Sequence, residues 1–192
     1  MRTCAFILAM VVTLLCGGCN AVFGPSGSTP AERRNGVLRE RDAMIAKLAK
    51  RRPGLMREID DAPGYAFFYK SNLHLFLFSS EDGYGVVTER NGQNTYMRMY
   101  GTGAGFGIGA KEFYVLMIFK RQKVLEDFIH HGMDFRGSAD AGVKVGDLDA
   151  FGSGGESVQS WIDVYQLTEL GGAFQITLQG NKYWLDPALN DP

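Results

Sequence analysis

Glycine occupies every odd position of the run Gly101-Thr-Gly-Ala-Gly-Phe-Gly-Ile-Gly109. A period of two belongs to a strand, where alternate residues share a face. One face of this stretch is therefore bare backbone, and Thr102, Ala104, Phe106 and Ile108 line the other. A bare face admits another element at close range, or lets a sheet bend sharply. Gly105, Gly107 and Ala110 also fit G-x-G-x-x-A. That spacing holds a dinucleotide only where a strand turns into a helix, so that backbone amides meet the pyrophosphate. Here the strand-forming Phe113-Tyr-Val-Leu-Met-Ile-Phe119 follows, and no G-K-[ST] is present to cradle a phosphate. The run predicts packing rather than a nucleotide site.

Strands are expected on both sides of it. Tyr65–Lys70 and Leu73–Phe78 are aromatic-rich runs split by Ser71-Asn72. Tyr84–Arg90 and Thr95–Tyr100 flank Asn91-Gly92, a hairpin signal. Glu112–Arg121 is apolar on both faces and reads as a buried strand, and Phe174–Gln179 alternates. Between them Lys123–His131 gathers Val124, Leu125, Phe128 and Ile129 on one side of a short helix that Gly132 ends.

A helical segment precedes the strands. Thr29 can cap, Pro30 suits the first helical position and Glu32 completes a capping box. The spacing predicts a helix to about Lys50, stopped by Pro53-Gly54, and a short second piece over Leu55 to Asp60. The whole order predicts an α+β fold: an N-terminal amphipathic helix packed on a curved, mostly antiparallel, barrel-like β-sheet with one inserted short helix.

The chain begins Met1-Arg-Thr-Cys-Ala-Phe-Ile-Leu-Ala-Met-Val-Val-Thr-Leu-Leu-Cys-Gly-Gly-Cys19. A basic tip, an apolar run and Gly17-Gly18 before Cys19 form the layout of a secretory signal cut to leave a cysteine first. Cys19 would then be lipidated, and the chain exported and anchored in the bacterial cell envelope, on the periplasmic side of the outer membrane. The alternatives are an ordinary signal cut nearby and a membrane span; the apolar run of about a dozen residues falls short of the roughly 20 a span needs. Cys4, Cys16 and Cys19 are the only cysteines, so a chain starting at Cys19 has a body without thiols. Disulfides, thiolate metal sites and cysteine nucleophiles are thereby excluded from that body.

Charge is unevenly placed. From Thr29 to Glu58 nine Lys/Arg face four acids, a net of +5, while the remaining mature chain has ten bases and seventeen acids, a net of −7. At 100° per residue, Val37, Leu38, Met44, Ile45 and Leu48 form an apolar stripe, and Arg34, Arg41 and Arg52 fall within it. Buried unpaired arginines are costly. Three readings follow: these arginines pair with acids on the body, they snorkel toward lipid phosphate, or they meet a protein partner.

Catalytic and metal-binding patterns are not assembled. Asp147-Leu-Asp-Ala-Phe-Gly152 has Phe151 where a calcium loop needs oxygen, and Val158 at the twelfth place. Adjacent His130 and His131 point about 100° apart, unlike i, i+4 metal ligands. Ser153 lies in Gly152-Ser-Gly-Gly155, without G-x-S-x-G spacing. The expectation is a non-enzyme with no cofactor.

Gly107-Ile-Gly-Ala-Lys-Glu-Phe-Tyr-Val-Leu-Met-Ile-Phe119 resembles the G-x-Q-x-G-A-x-x-x-D core of the SYLF (Ysc84-like) domain. Leu125–Phe128 with Gly132, Phe135–Ala141, Val164–Gly172 and Gln179–Trp184 are similar to its later motifs, so the resemblance covers roughly residues 55–185. Ile108 stands near the family's Gln, and Phe113 or Tyr114 where Asp is common. The resemblance implies a lipid-binding, non-catalytic module whose basic N-terminal helix meets phospholipid. The matching helix here carries Arg33, Arg34, Arg39, Arg41, Lys47, Lys50, Arg51 and Arg52.

The expected organisation is a signal (1–18), a tether (19–28), a basic helical segment (29–60), a β-rich body (61–186) and a tail (187–192). The expected partners are anionic membrane phospholipid and a covalent N-terminal lipid, not nucleic acid. The alternatives are a carrier of a small apolar ligand within the sheet and a scaffold docking another envelope protein.

Overall fold

The computed structural model describes residues 24–134, 143–145, 161–168 and 180–191. The signal and Cys19, the 147–158 loop and the expected Phe174–Gln179 strand lie outside them.

Helix α1 spans Pro30–Arg51, and its start follows from four residues. Glu32 N donates to Thr29 Oγ1 at 3.2 Å, while Glu32 Oε2 accepts from the amides of Ser28 (2.8 Å) and Thr29 (3.3 Å). These bonds satisfy amides that a helix start leaves without partners. Val37, Met44, Ile45 and Leu48 are buried, and Leu38 packs beside them. The predicted apolar stripe is thus spent on the protein's own core. Helix α2 (Leu55–Asp61) starts after Gly54, whose φ of 101° lies in the left-handed region glycine tolerates.

Strand β1 runs unbroken over Gly64–Glu89 and β2 over Asn94–Phe119. They pair antiparallel from Thr88↔Asn94 to Gly64↔Phe119, around the turn at Asn91-Gly92, where Gly92 has φ 86°. The alternate-glycine run lies inside β2, which bears out its reading as strand and removes the strand-to-helix turn a dinucleotide would need. The expected break at Ser71-Asn72 is not a break. Both residues stay in the ladder, opposite Glu112 and Lys111.

Straight, a strand of 26 residues would reach about 85 Å. Instead β1 doubles back on itself. A Cβ on Gly64 would sit 2.8 Å from the Thr88 carbonyl oxygen, and one on Gly85 would press into the carbonyl of Phe67. Glycine is required where the two halves cross so closely. The bend falls around residues 71–80, where pairing slips between Phe76 and Phe78 and Phe76 adopts φ 55°.

Helix α3 (Gln122–His131) follows, then β3 (Met133–Asp134), β4 (Val143–Val145), β5 (Ile162–Thr168), β6 (Gly180–Leu185) and α4 (Pro187–Asn190). One stretch of β2, Phe113–Phe119, pairs with β5, and another, Met97–Thr102, with β6. Strand β3 joins β6, and β4 joins β5 in parallel. The order β3-β6-β2-β5-β4, with β1 on β2, gives an α+β fold on a mostly antiparallel sheet. It corrects the barrel-like expectation. Among the described residues β1 pairs with β2 alone, so the ladder does not return to close, and the sheet is open.

Two hydrophobic clusters hold the layers. One joins α1 to Phe67, Val86, Leu116 and Tyr165; the other joins α3 to Phe68, Met97, Met99, Phe119 and Tyr183. Phe128 of α3 sits with its ring centre 5.2 Å from that of Phe119. Residues 187–192, expected as a tail, include α4. Asn190 Nδ2 donates to the Tyr96 carbonyl (2.7 Å), Tyr96 N donates to Asn190 Oδ1 (2.9 Å), and Leu189 is buried.

Candidate functional site

The cations of the α1–α2 segment divide into two sets. Arg34, Arg41 and Arg52, the three within the apolar stripe, turn toward the protein. Arg34 donates to the Leu189 carbonyl at 3.3 Å. Arg41, its side chain 13% exposed, donates to Thr88 Oγ1 (2.9 Å), Asn94 Oδ1 (3.2 Å) and Asp42 Oδ1 (2.8 Å). Arg52 pairs with Glu58 at 3.1 Å and lies 4.7 Å over the Tyr165 ring. Burial pushes the Glu58 carboxyl up, but hydrogen bonds from Tyr165 (2.7 Å) and Arg52 outweigh it and hold the group below its usual range. Carbonyls, a hydroxyl, an amide and local acids thus satisfy these arginines, with the stripe's apolar residues left to the core. Arg33 reaches back to the Gly27 carbonyl at 3.1 Å.

The second set faces outward. Arg39, Lys47, Lys50, Arg51 and the additional Arg57 are exposed, and none makes a hydrogen bond or ion pair among the described residues. Along α1, Arg39 and Lys50 lie on the side opposite Val37 and Leu48 at 100° per residue, and Lys47 flanks the buried stripe. This face is basic and not apolar.

Glu40 is the acid that α1 turns inward, accepting from the Tyr84 hydroxyl at 3.1 Å. Burial raises its carboxyl above the usual value despite that bond. A raised folded-state value means that stability is fully present below the unfolded value and declines as pH climbs through the folded one. Glu40→Gln keeps an acceptor for Tyr84 without the charge. It is expected to make the protein more stable at pH 7 and to flatten the decline above about pH 4.5, checked by urea unfolding across pH.

A further cluster sits inside the bend of β1. Lys70 Nζ lies 2.9 Å from Glu81 Oε2, with the two side chains 9% and 3% exposed. Asn72 Nδ2 donates to Glu81 Oε1 at 2.6 Å, and the Phe113 ring lies 5.4 Å from the Lys70 ammonium. On the outside of the same bend Phe76, Leu77, Phe78 and Ile108 are exposed. Sequence reasoning read Leu73–Phe78 as an ordinary strand and missed this surface. A signal was present: residues 71–80 and 101–110 contain no Asp, Glu, Lys or Arg.

Among the described residues no three His, Cys, Asp or Glu side chains gather as a metal site, and His130 and His131 occupy the last turn of α3.

Fold and surface together define a doubled antiparallel hairpin, covered by a helix with a basic outer face. No family model matches the chain. It is similar to Beta cell expansion factor A of Aeromonas veronii, with 28% identity over 167 residues, 85% of this chain and 61% of the relative. The chain thus spans about three-fifths of that relative's length, and the relative's name states no molecular activity.

Proposed function

We propose that this is a non-catalytic, lipid-anchored envelope protein of SYLF-like kind, which rests on anionic phospholipid through the outward basic face of α1. One observation carries the reading. Arg39, Lys47, Lys50, Arg51 and Arg57 are exposed and make no hydrogen bond or ion pair among the described residues, whereas Arg34, Arg41 and Arg52 of the same segment are satisfied internally. The site therefore narrows from the eight basic residues of the helix to its outward members. The helix acts as a charged face and not as an interfacial helix with its apolar side in lipid, because that side is buried. A lipidated Cys19 would supply the anchoring and the basic face the orientation. The apolar-carrier alternative draws no support from the described interior, where the halves of β1 approach to contact at Gly64 and Gly85.

Each basic residue near an anionic surface contributes about 1 kcal/mol. Lys47→Glu, Lys50→Glu and Arg51→Glu together are expected to weaken binding to phosphatidylglycerol vesicles by about 100-fold or more, since 1.4 kcal/mol is tenfold. The chain from residue 20 onward, mixed with vesicles and sedimented, reads this. The share of binding that the basic face supplies is expected to be lost near 1 M salt, where the Debye length shrinks to about 3 Å. Equal retention on neutral and anionic vesicles would sink the proposal.

A further inference from the structure

We infer that the bend of β1 enters the acyl region of the bilayer, with Phe76, Leu77, Phe78 and Ile108 as the inserted side chains; this deepens the lipid-surface reading and rests on it. The bend is inverted relative to a water-soluble element. Its charged and amide groups, Lys70, Glu81 and Asn72, are inside, and its large apolar side chains are outside. Phe76 is 69% exposed, Phe78 75% and Ile108 74%. Polar inside and apolar outside is the arrangement of strands whose surroundings are lipid.

The local backbone produces the outward display. Side chains normally alternate across a strand, so three consecutive residues do not share a surface. The register slip at Phe76–Phe78, with Phe76 at φ 55°, breaks that alternation and leaves Phe76, Leu77 and Phe78 all exposed. A left-handed phenylalanine is strained, and strain of this kind collects at functional sites.

The size of the patch sets it apart from scattered surface residues. With Leu73, the exposed apolar side chains amount to on the order of 600 Å² at about 200 Å² each. That reaches the largest patches of ordinary monomers, about 300–600 Å², a size at which an exposed apolar surface marks a membrane or partner contact. Residues 71–80 and 101–110 contain no Asp, Glu, Lys or Arg, and the exposed charges of Lys111 and Glu112 stand at the border of the patch. A bilayer interior needs no flat matching face.

The test uses the full chain carrying Phe78→Trp, compared with the unsubstituted chain so that Trp161 and Trp184 give the same background. With phosphatidylcholine–phosphatidylglycerol vesicles, the added emission is expected to shift to the blue and to be quenched by acyl-brominated phosphatidylcholine. Phe76→Ser with Phe78→Ser, both exposed and checked for folding by circular dichroism, is expected to lower retention at 1 M salt by about 100-fold or more. Emission that stays water-like while the chain floats with vesicles salt-sensitively would overturn insertion and leave the surface reading standing. No flotation at all would remove both. A lipid-free dimer abolished by Phe78→Ser would put a second copy on the patch and also overturn insertion.

Discussion

Glu81→Ala is expected to lower the unfolding free energy by about 3–5 kcal/mol, because it leaves Lys70 buried without its counter-ion. Both side chains are almost fully covered, and the ammonium then keeps the Phe113 ring at 5.4 Å but no carboxylate. Asn72 Nδ2 loses its carboxylate acceptor in the same step, adding an unmade hydrogen bond. The pair also joins the two halves of β1, eleven positions apart in sequence, so the loss falls on the bend itself. Urea unfolding followed by circular dichroism reads the change. The double substitution Lys70→Met with Glu81→Leu is expected to recover most of it, since an apolar pair of similar volume needs no desolvation. A single substitution within 1 kcal/mol of the parent would mean that the pair is not buried as described.

Gly85→Ala is expected to cost about 3 kcal/mol, at the high end for overpacking, and to lower the melting temperature by roughly 6–12 °C. The added methyl would meet the carbonyl oxygen of Phe67 and the ring of Phe68, and a carbonyl fixed in a ladder cannot swing aside. Gly24→Ala is the control. Nothing lies within 4 Å of its Cβ position, and no change beyond about 0.5 kcal/mol is expected. Thermal unfolding of the two variants side by side decides it. Equal melting temperatures would show that the halves of β1 do not cross there.

What could be read in the sequence was local. Thr29, Pro30 and Glu32 carry the start of α1 within four residues, and that capping box formed. Asn91-Gly92 marked the hairpin, and glycine at alternate positions marked a strand. Errors arose where the deciding partner was remote. Ser71-Asn72 looked like a break because asparagine is a poor strand former; Glu81, nine residues on, bonds its side chain and keeps it in the ladder. Arg34 lay in the apolar stripe by angle, but its acceptor is the carbonyl of Leu189, 155 residues away. The barrel-like expectation needed the strand order, which periodicity does not contain. For the surface, composition showed a basic helix but could not sort the inward arginines from the outward ones. The absence of charge at the bend was visible; its exposure was not.

The uninterrupted ladder of β1 and β2 also bears on how the chain finds its fold. Thr88 and Asn94 are six positions apart, whereas Gly64 and Phe119 are fifty-five apart. Reached in one step, the distant pair would require closing a long loop. Reached by zipping outward from Asn91-Gly92, each new pair extends a ladder already formed, and each closure is short. Doubling over then brings Gly85 against Phe67 as one rigid movement of paired strands, so a protein rich in distant contacts can assemble by near-neighbour steps.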